Sequence, residues 1–101
     1  MIKVRITLLK QTIYQDLIDQ YENPIPEPCC MHIGDVFVVD SLTRPENFCL
    51  SAWDTLSPYI DDLLHGKGNF YDGWMKNPMS ALLSCNDGFR PMSFLLEAID
   101  E

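Results

Sequence analysis

Hydrophobic and polar residues alternate strictly at the start of the chain, where Ile2, Val4, Ile6 and Leu8 are interleaved with Lys3, Arg5 and Thr7. A period of two with branched apolar residues on one side predicts a half-buried strand. The pattern then changes. Thr12 with Gln15 three positions on forms a capping-box pair, and Ile13, Leu17, Ile18 and Tyr21 fall on one face at helical spacing, predicting a helix of about two to three turns. Pro24, Pro26 and Pro28 alternate after it, removing backbone donors at every second residue and predicting an extended, polyproline-like path.

Gly34-Asp35 opens the continuous apolar run Val36-Phe37-Val38-Val39, which predicts a central strand covered on both faces. Residues 41–47, with Arg44-Pro45-Glu46 inside them, read as a loop before a new apolar segment at Phe48-Cys49. Ala52, Leu56, Tyr59, Ile60, Leu63 and Leu64 then recur at helical spacing, with Gly66 as a C-terminal stop. Pro58 leaves two readings, one kinked helix or a short turn followed by a helix from 58 to 65. In the second, Asp61 and Asp62 lie in a first helical turn, where negative charge suits the helix dipole. Residues 66–78 combine three glycines with Phe70, Tyr71 and Trp74. Such a stretch is either a packed lid or one wall of a pocket.

Two apolar arms, 79–84 and 92–99, flank Cys85-Asn86-Asp87-Gly88-Phe89-Arg90-Pro91 and predict a C-terminal hairpin. Gly88 would supply the positive φ of a tight reversal, and Pro91, lacking a donor, belongs at the start of its strand. These elements add up to one α+β domain over residues 1–101. Its mostly antiparallel sheet has about four strands, with two or three helices.

Composition narrows the function classes. With 15 acidic against 7 basic residues the formal net charge is −8, a field that repels phosphate backbones and anionic lipid, so neither nucleic acid nor a membrane surface is an expected partner. No apolar run approaches the roughly 20 residues of a membrane span. The alternating N-terminus is not a signal-peptide core, and a cytoplasmic protein is expected.

Four cysteines, Cys29, Cys30, Cys49 and Cys85, make a high fraction for a chain of 101 residues. In a reducing compartment thiols serve as buried apolar residues, metal ligands or reactive groups. One candidate site gathers Cys30, Cys49 and Cys85, with His32 or Cys29 as a further ligand, around zinc or an iron–sulfur cluster, as in the set Cys30, His32, Cys49 and Cys85. No Cys-x-x-Cys supports it. A second candidate is a thiol nucleophile or redox group at Cys85 or Cys49. There Arg90 would hold negative charge, and Asp87 would pair with Arg90 or accept hydrogen bonds from its own turn. Asp54, close after Cys49, would add a carboxylate if its helix packs against the hairpin end. The competing class is a non-catalytic homodimer or partner-binding module with buried structural thiols, associating through a sheet edge and the aromatic loop.

Pro28-Cys29-Cys30, Gly34-Asp35-Val36-Phe37-Val38-Val39-Asp40, Phe48-Cys49-x-x-Ala52-Trp53 and Cys85-x-Asp87-Gly88-x-Arg90-Pro91, in that order, resemble a family of short uncharacterised prokaryotic proteins. The closing Cys-x-Asp-Gly-x-Arg-Pro signature is its most specific part. Met92-Ser93-Phe94 stands where a Val-x-Phe-like strand usually follows. The resemblance implies that Cys30 or Cys29, Cys49, Trp53, Cys85, Asp87, Gly88, Arg90 and Pro91 are characteristic positions, and it carries no activity with it.

Overall fold

The computed structural model describes residues 1–25 and 30–101. The proline-run expectation for 26–28 and the ligand role of Cys29 lie outside the described residues. Six elements follow in order: β1 (Ile2–Gln11), α1 (Gln15–Tyr21), β2 (Val36–Val39), α2 (Leu50–Leu64), β3 (Ser80–Ser84) and β4 (Met92–Asp100). The strands form one antiparallel sheet in the order β2-β1-β4-β3, giving the expected α+β fold.

The alternation at the N-terminus determines which face is buried. Val4, Ile6 and Leu8 point inward together with their cross-strand neighbours Leu96 and Phe94, and all five are essentially inaccessible. Helix α2 crosses this face and covers it with Ala52, Trp53, Leu56, Ile60 and Leu63, a stripe set by the 3.6-residue period. Phe48, just before the helix, sits at the centre of an aromatic cluster. Its ring lies 4.9 Å from Phe37, 5.3 Å from Trp53 and 5.8 Å from Phe94.

Two expectations are corrected, for β2 and for Thr12, and the alternative left open at Pro58 is decided. Val36–Val39 is an edge strand rather than a central one: among the described residues it pairs with β1 alone, and Val36 and Val38 are 54% and 48% exposed. A continuous apolar run does not by itself say how many faces are covered, and here β4 takes the other side of β1. The turn into β2 is fixed by Gly34 at φ +95°, whose N–H donates to the Leu8 carbonyl while the Leu8 N–H donates to that of Asp35.

Thr12 does not cap α1. Its N–H donates to the Pro91 carbonyl at 3.0 Å, prolonging the β1–β4 association, and the helix starts at Gln15 with Tyr14 as an N-cap lacking a side-chain bond. Helix α1 has seven residues and buries none of them. So short a helix is marginal in isolation, and its ends are held by the hairpin connection.

The helix around Pro58 is one element, not two. The missing donor leaves the Asp54 carbonyl without its helical partner, and both residues are exposed, where water can reach that oxygen. Ser57 Oγ donates to the Trp53 carbonyl at 2.5 Å across the same turn. Asp61 and Asp62 consequently lie in the last turn rather than the first. There the negative charge opposes the helix dipole, and His65 Nδ1 lies 3.3 Å from the Asp61 carboxylate and 2.8 Å from the Asp61 carbonyl oxygen. Among the described residues no helix is long and apolar enough to cross a membrane.

Candidate functional site

The β3–β4 connection takes its shape from a carboxylate rather than a glycine. Asp87 Oδ1 accepts the N–H of Phe89 at 2.8 Å and of Arg90 at 3.3 Å, an Asx-type turn that substitutes side chain for backbone. Gly88 does not adopt positive φ, and open space surrounds the place of a Cβ, so the expected left-handed reversal is absent. Arg90 does not pair with Asp87. Its Nη1 donates to Glu22 Oε1 at 2.7 Å, with the two side chains only 19% and 13% exposed.

That ion pair closes a brace. The Tyr14 N–H donates to the Phe89 carbonyl at the start of α1, and Glu22 meets Arg90 at its end. The connection therefore holds both ends of a helix too short to be stable alone. Glu22 was not legible as a partner, because nothing local marks a residue 68 positions away in sequence.

Cys85 leaves β3 paired with Met92. Its N–H donates to the Met92 carbonyl at 3.1 Å, and its Sγ accepts the Met92 N–H at 3.3 Å, which fixes the sulfur against the start of β4. Cys49 is the N-cap residue of α2. Its carbonyl accepts the Trp53 N–H, and its own N–H donates to Met31 Sδ at 3.4 Å. Ser51 Oγ donates to Asn86 Oδ1 at 2.6 Å, tying the first turn of α2 to the residue after Cys85. The result is a cleft of about 290 Å³ lined by Cys49, Ser51, Ala52, Cys85, Asn86, Asp87, Arg90 and Met92. Both cysteines are free and partly accessible.

The other sequence candidates lie elsewhere. Cys30 is exposed, with its Sγ 3.8 Å from the Asn47 carbonyl, and lines a neighbouring cleft of about 450 Å³ with His32, Asp35 and Phe37. The four-ligand set Cys30, His32, Cys49 and Cys85 is thus divided between two clefts. Among the described residues no three His, Cys, Asp or Glu side chains gather as metal ligands. Asp87, beside the two thiols, has one oxygen committed to its turn. Trp53 is a core residue, and Asp54 is exposed and does not line the thiol cleft.

The arrangement lines one cleft with two cysteines, beside the N-terminal end of a 15-residue helix, where the helix dipole favours negative charge. Comparison with models of known families, with curated proteins and with solved structures yields no match.

Proposed function

We propose that Cys49 and Cys85 act as a dithiol pair that exchanges with disulfide substrates, in the reducing setting of the cytoplasm. The observation that carries this reading is the shared cleft, to which α2 brings one cysteine and β3 the other. One sulfur attacks a substrate disulfide, breaking its S–S bond, forming a mixed disulfide and releasing the first substrate thiol. The second cysteine attacks the mixed disulfide, forming a Cys49–Cys85 bond and releasing the second substrate thiol. Two electrons and two protons pass from the protein to the substrate. Charge moving between the sulfurs would develop beside the positive end of α2. Arg90, held by Glu22, is a positioning residue of the cleft wall, and Asp87 shapes the turn. A metal reading at this cleft has two thiols to work with among the described residues, where tetrahedral zinc takes about four ligands.

Trapping tests the reading. Incubated with oxidised glutathione, the wild-type protein should acquire an internal disulfide, whereas Cys85→Ser should accumulate glutathione on Cys49, both read by mass spectrometry. Labelling confined to Cys30 would contradict it. Elemental analysis of anaerobically purified protein separates the metal alternative, which requires a stoichiometric metal lost in Cys85→Ser.

A second reading, self-association, is favoured by a different observation. Edge strand β2 carries exposed Val36 and Val38, on the sheet face opposite α2. Apolar sheet edges are templates for pairing. Light scattering of wild type and Val38→Lys tests it, with a dimer converted to a monomer as the expected result.

A further inference from the structure

We propose that the cleft between the C-terminal half of α2 and the 65–79 connection binds an alkylammonium cation. The cleft, about 430 Å³, is lined by Pro58, Tyr59, Asp62, Phe70 and Tyr71. Tyr59 and Asp62 are three residues apart on α2 and so share a face, which sets a carboxylate beside an aromatic ring. Phe70 meets Tyr59 edge to face at 5.2 Å, and the Tyr59 and Tyr71 hydroxyls are 2.8 Å apart. Trp74 stands at 84° to Tyr71, with ring centres 5.3 Å apart.

These rings are locked together, yet Tyr71 and Trp74 remain 71% and 43% exposed. Tyr59 and Phe70 pack against the core, but Tyr71 and Trp74 do not, so core packing does not explain these two. The chain also holds Tyr71 in an unfavourable conformation. Asn69, Tyr71 and Asp72 have φ of +54°, +54° and +49°, a cluster of left-handed residues none of which is glycine. The Asn69 side chain maintains it by accepting the Gly73 N–H at 2.8 Å. Strain of this kind persists where surrounding contacts over-determine it, and it concentrates at ligand clamps.

The chemistry selects the ligand. Aromatic faces carry a negative quadrupole, and a weakly hydrated alkylammonium group is attracted both to them and to the Asp62 carboxylate. Among the described residues no Lys, Arg or His lines the cleft to supply that charge internally. The net charge of −8 raises the local concentration of cations. A divalent metal would want several oxygen ligands, and the cleft offers one carboxylate. The hydrogen bond to Tyr71, with burial, raises the Tyr59 phenol above its ordinary 10.0.

The test is a nuclear magnetic resonance titration of the full chain with choline and with its neutral isostere 3,3-dimethylbutan-1-ol. Choline should shift Tyr59, Asp62, Phe70, Tyr71 and the Trp74 indole, saturating in about the millimolar range, with the isostere weaker by roughly threefold or more. Asp62→Asn removes an exposed charge without altering shape and should weaken choline roughly threefold while leaving the isostere unchanged. Tyr71→Ala should abolish the shifts. N-acetyl-trimethyllysine methylamide, run in parallel, distinguishes a methylated side chain from a free small molecule, according to which binds more tightly. The proposal is overturned if neither cation shifts these residues, if the isostere binds as well as choline, or if Asp62→Asn binds choline like wild type.

Discussion

The two connections on either side of β3 reach order by opposite means. After the strand, residues 85–91 contain no left-handed residue and are shaped by Asp87, by the Ser51–Asn86 bond and by the Arg90–Glu22 pair. Before it, residues 65–79 contain Gly66, Asn69, Tyr71, Asp72 and Gly73, all at positive φ, and close on themselves through Asn69. The first is relaxed backbone secured by distant partners, and the second is strained backbone secured locally. A site that must present two thiols at fixed positions is served by the former. A surface that must hold aromatic rings out of the core needs the latter.

Glycine substitution breaks the contrast most directly. A Cβ at Gly68 would collide with the Pro78 carbonyl oxygen and lie 2.6 Å from Met79 Sδ. Gly68→Ala should therefore destabilise the fold by about 1–3 kcal/mol in urea titrations. Gly88→Ala, in open space at an undemanding φ, should change stability little or raise it by up to about 0.5 kcal/mol. Equal losses at both positions would erase the distinction.

Next in size is the brace. Arg90→Ala should cost about 1–2 kcal/mol, because it leaves Glu22 partly buried and unpaired. Amide exchange in α1 should quicken while β1 stays protected. The matching Glu22→Ala change should not add to it, since both act on one pair. Asp87→Ala, which loses two bonds to the turn, should cost about 1 kcal/mol. Asp72→Gly, relieving a left-handed residue, should stabilise by up to about 1 kcal/mol.

The smallest effect is one of pH. Because the folded protein holds the Tyr59 proton more tightly than the unfolded chain, the stability this contributes is complete below pH 10.0 and is lost as pH rises through the raised folded value. Ultraviolet titration should show one phenol ionising late in wild type, and Tyr71→Phe, which removes the partner, should bring it back toward 10.0.

How much of this was legible follows from where each determinant lies. The alternation at Ile2–Leu8 and the spacing of Leu56, Ile60 and Leu63 are local records of a buried face, and both strand and helix follow from them. The hairpin arms were equally plain. The edge position of Val36–Val39 was not legible, because a short apolar run carries no mark of how many neighbours it will have. Thr12 has the chemistry of a cap, but its N–H is taken by Pro91 from the far end of the chain. In the candidate site, Cys49 and Cys85 could be singled out by residue type. That these two line one cleft and Cys30 another depends on how α2 crosses the sheet. Arg90 reads from the sequence as a partner for Asp87 or for a thiolate; it pairs instead with Glu22, which becomes visible only once α1 is in position. The aromatic loop was open between lid and pocket wall, and it divides: Phe70 packs inward against Tyr59, while Tyr71 and Trp74 stay exposed.

The measurement that bears most directly on the dithiol is peptide mapping of the protein equilibrated in a glutathione redox buffer. The proposed chemistry predicts a peptide joining Cys49 to Cys85 as the principal internal disulfide, with Cys30 left as a free or glutathione-capped thiol. A link through Cys30 instead, or reduced Cys49 and Cys85 under conditions that cap Cys30, would contradict it.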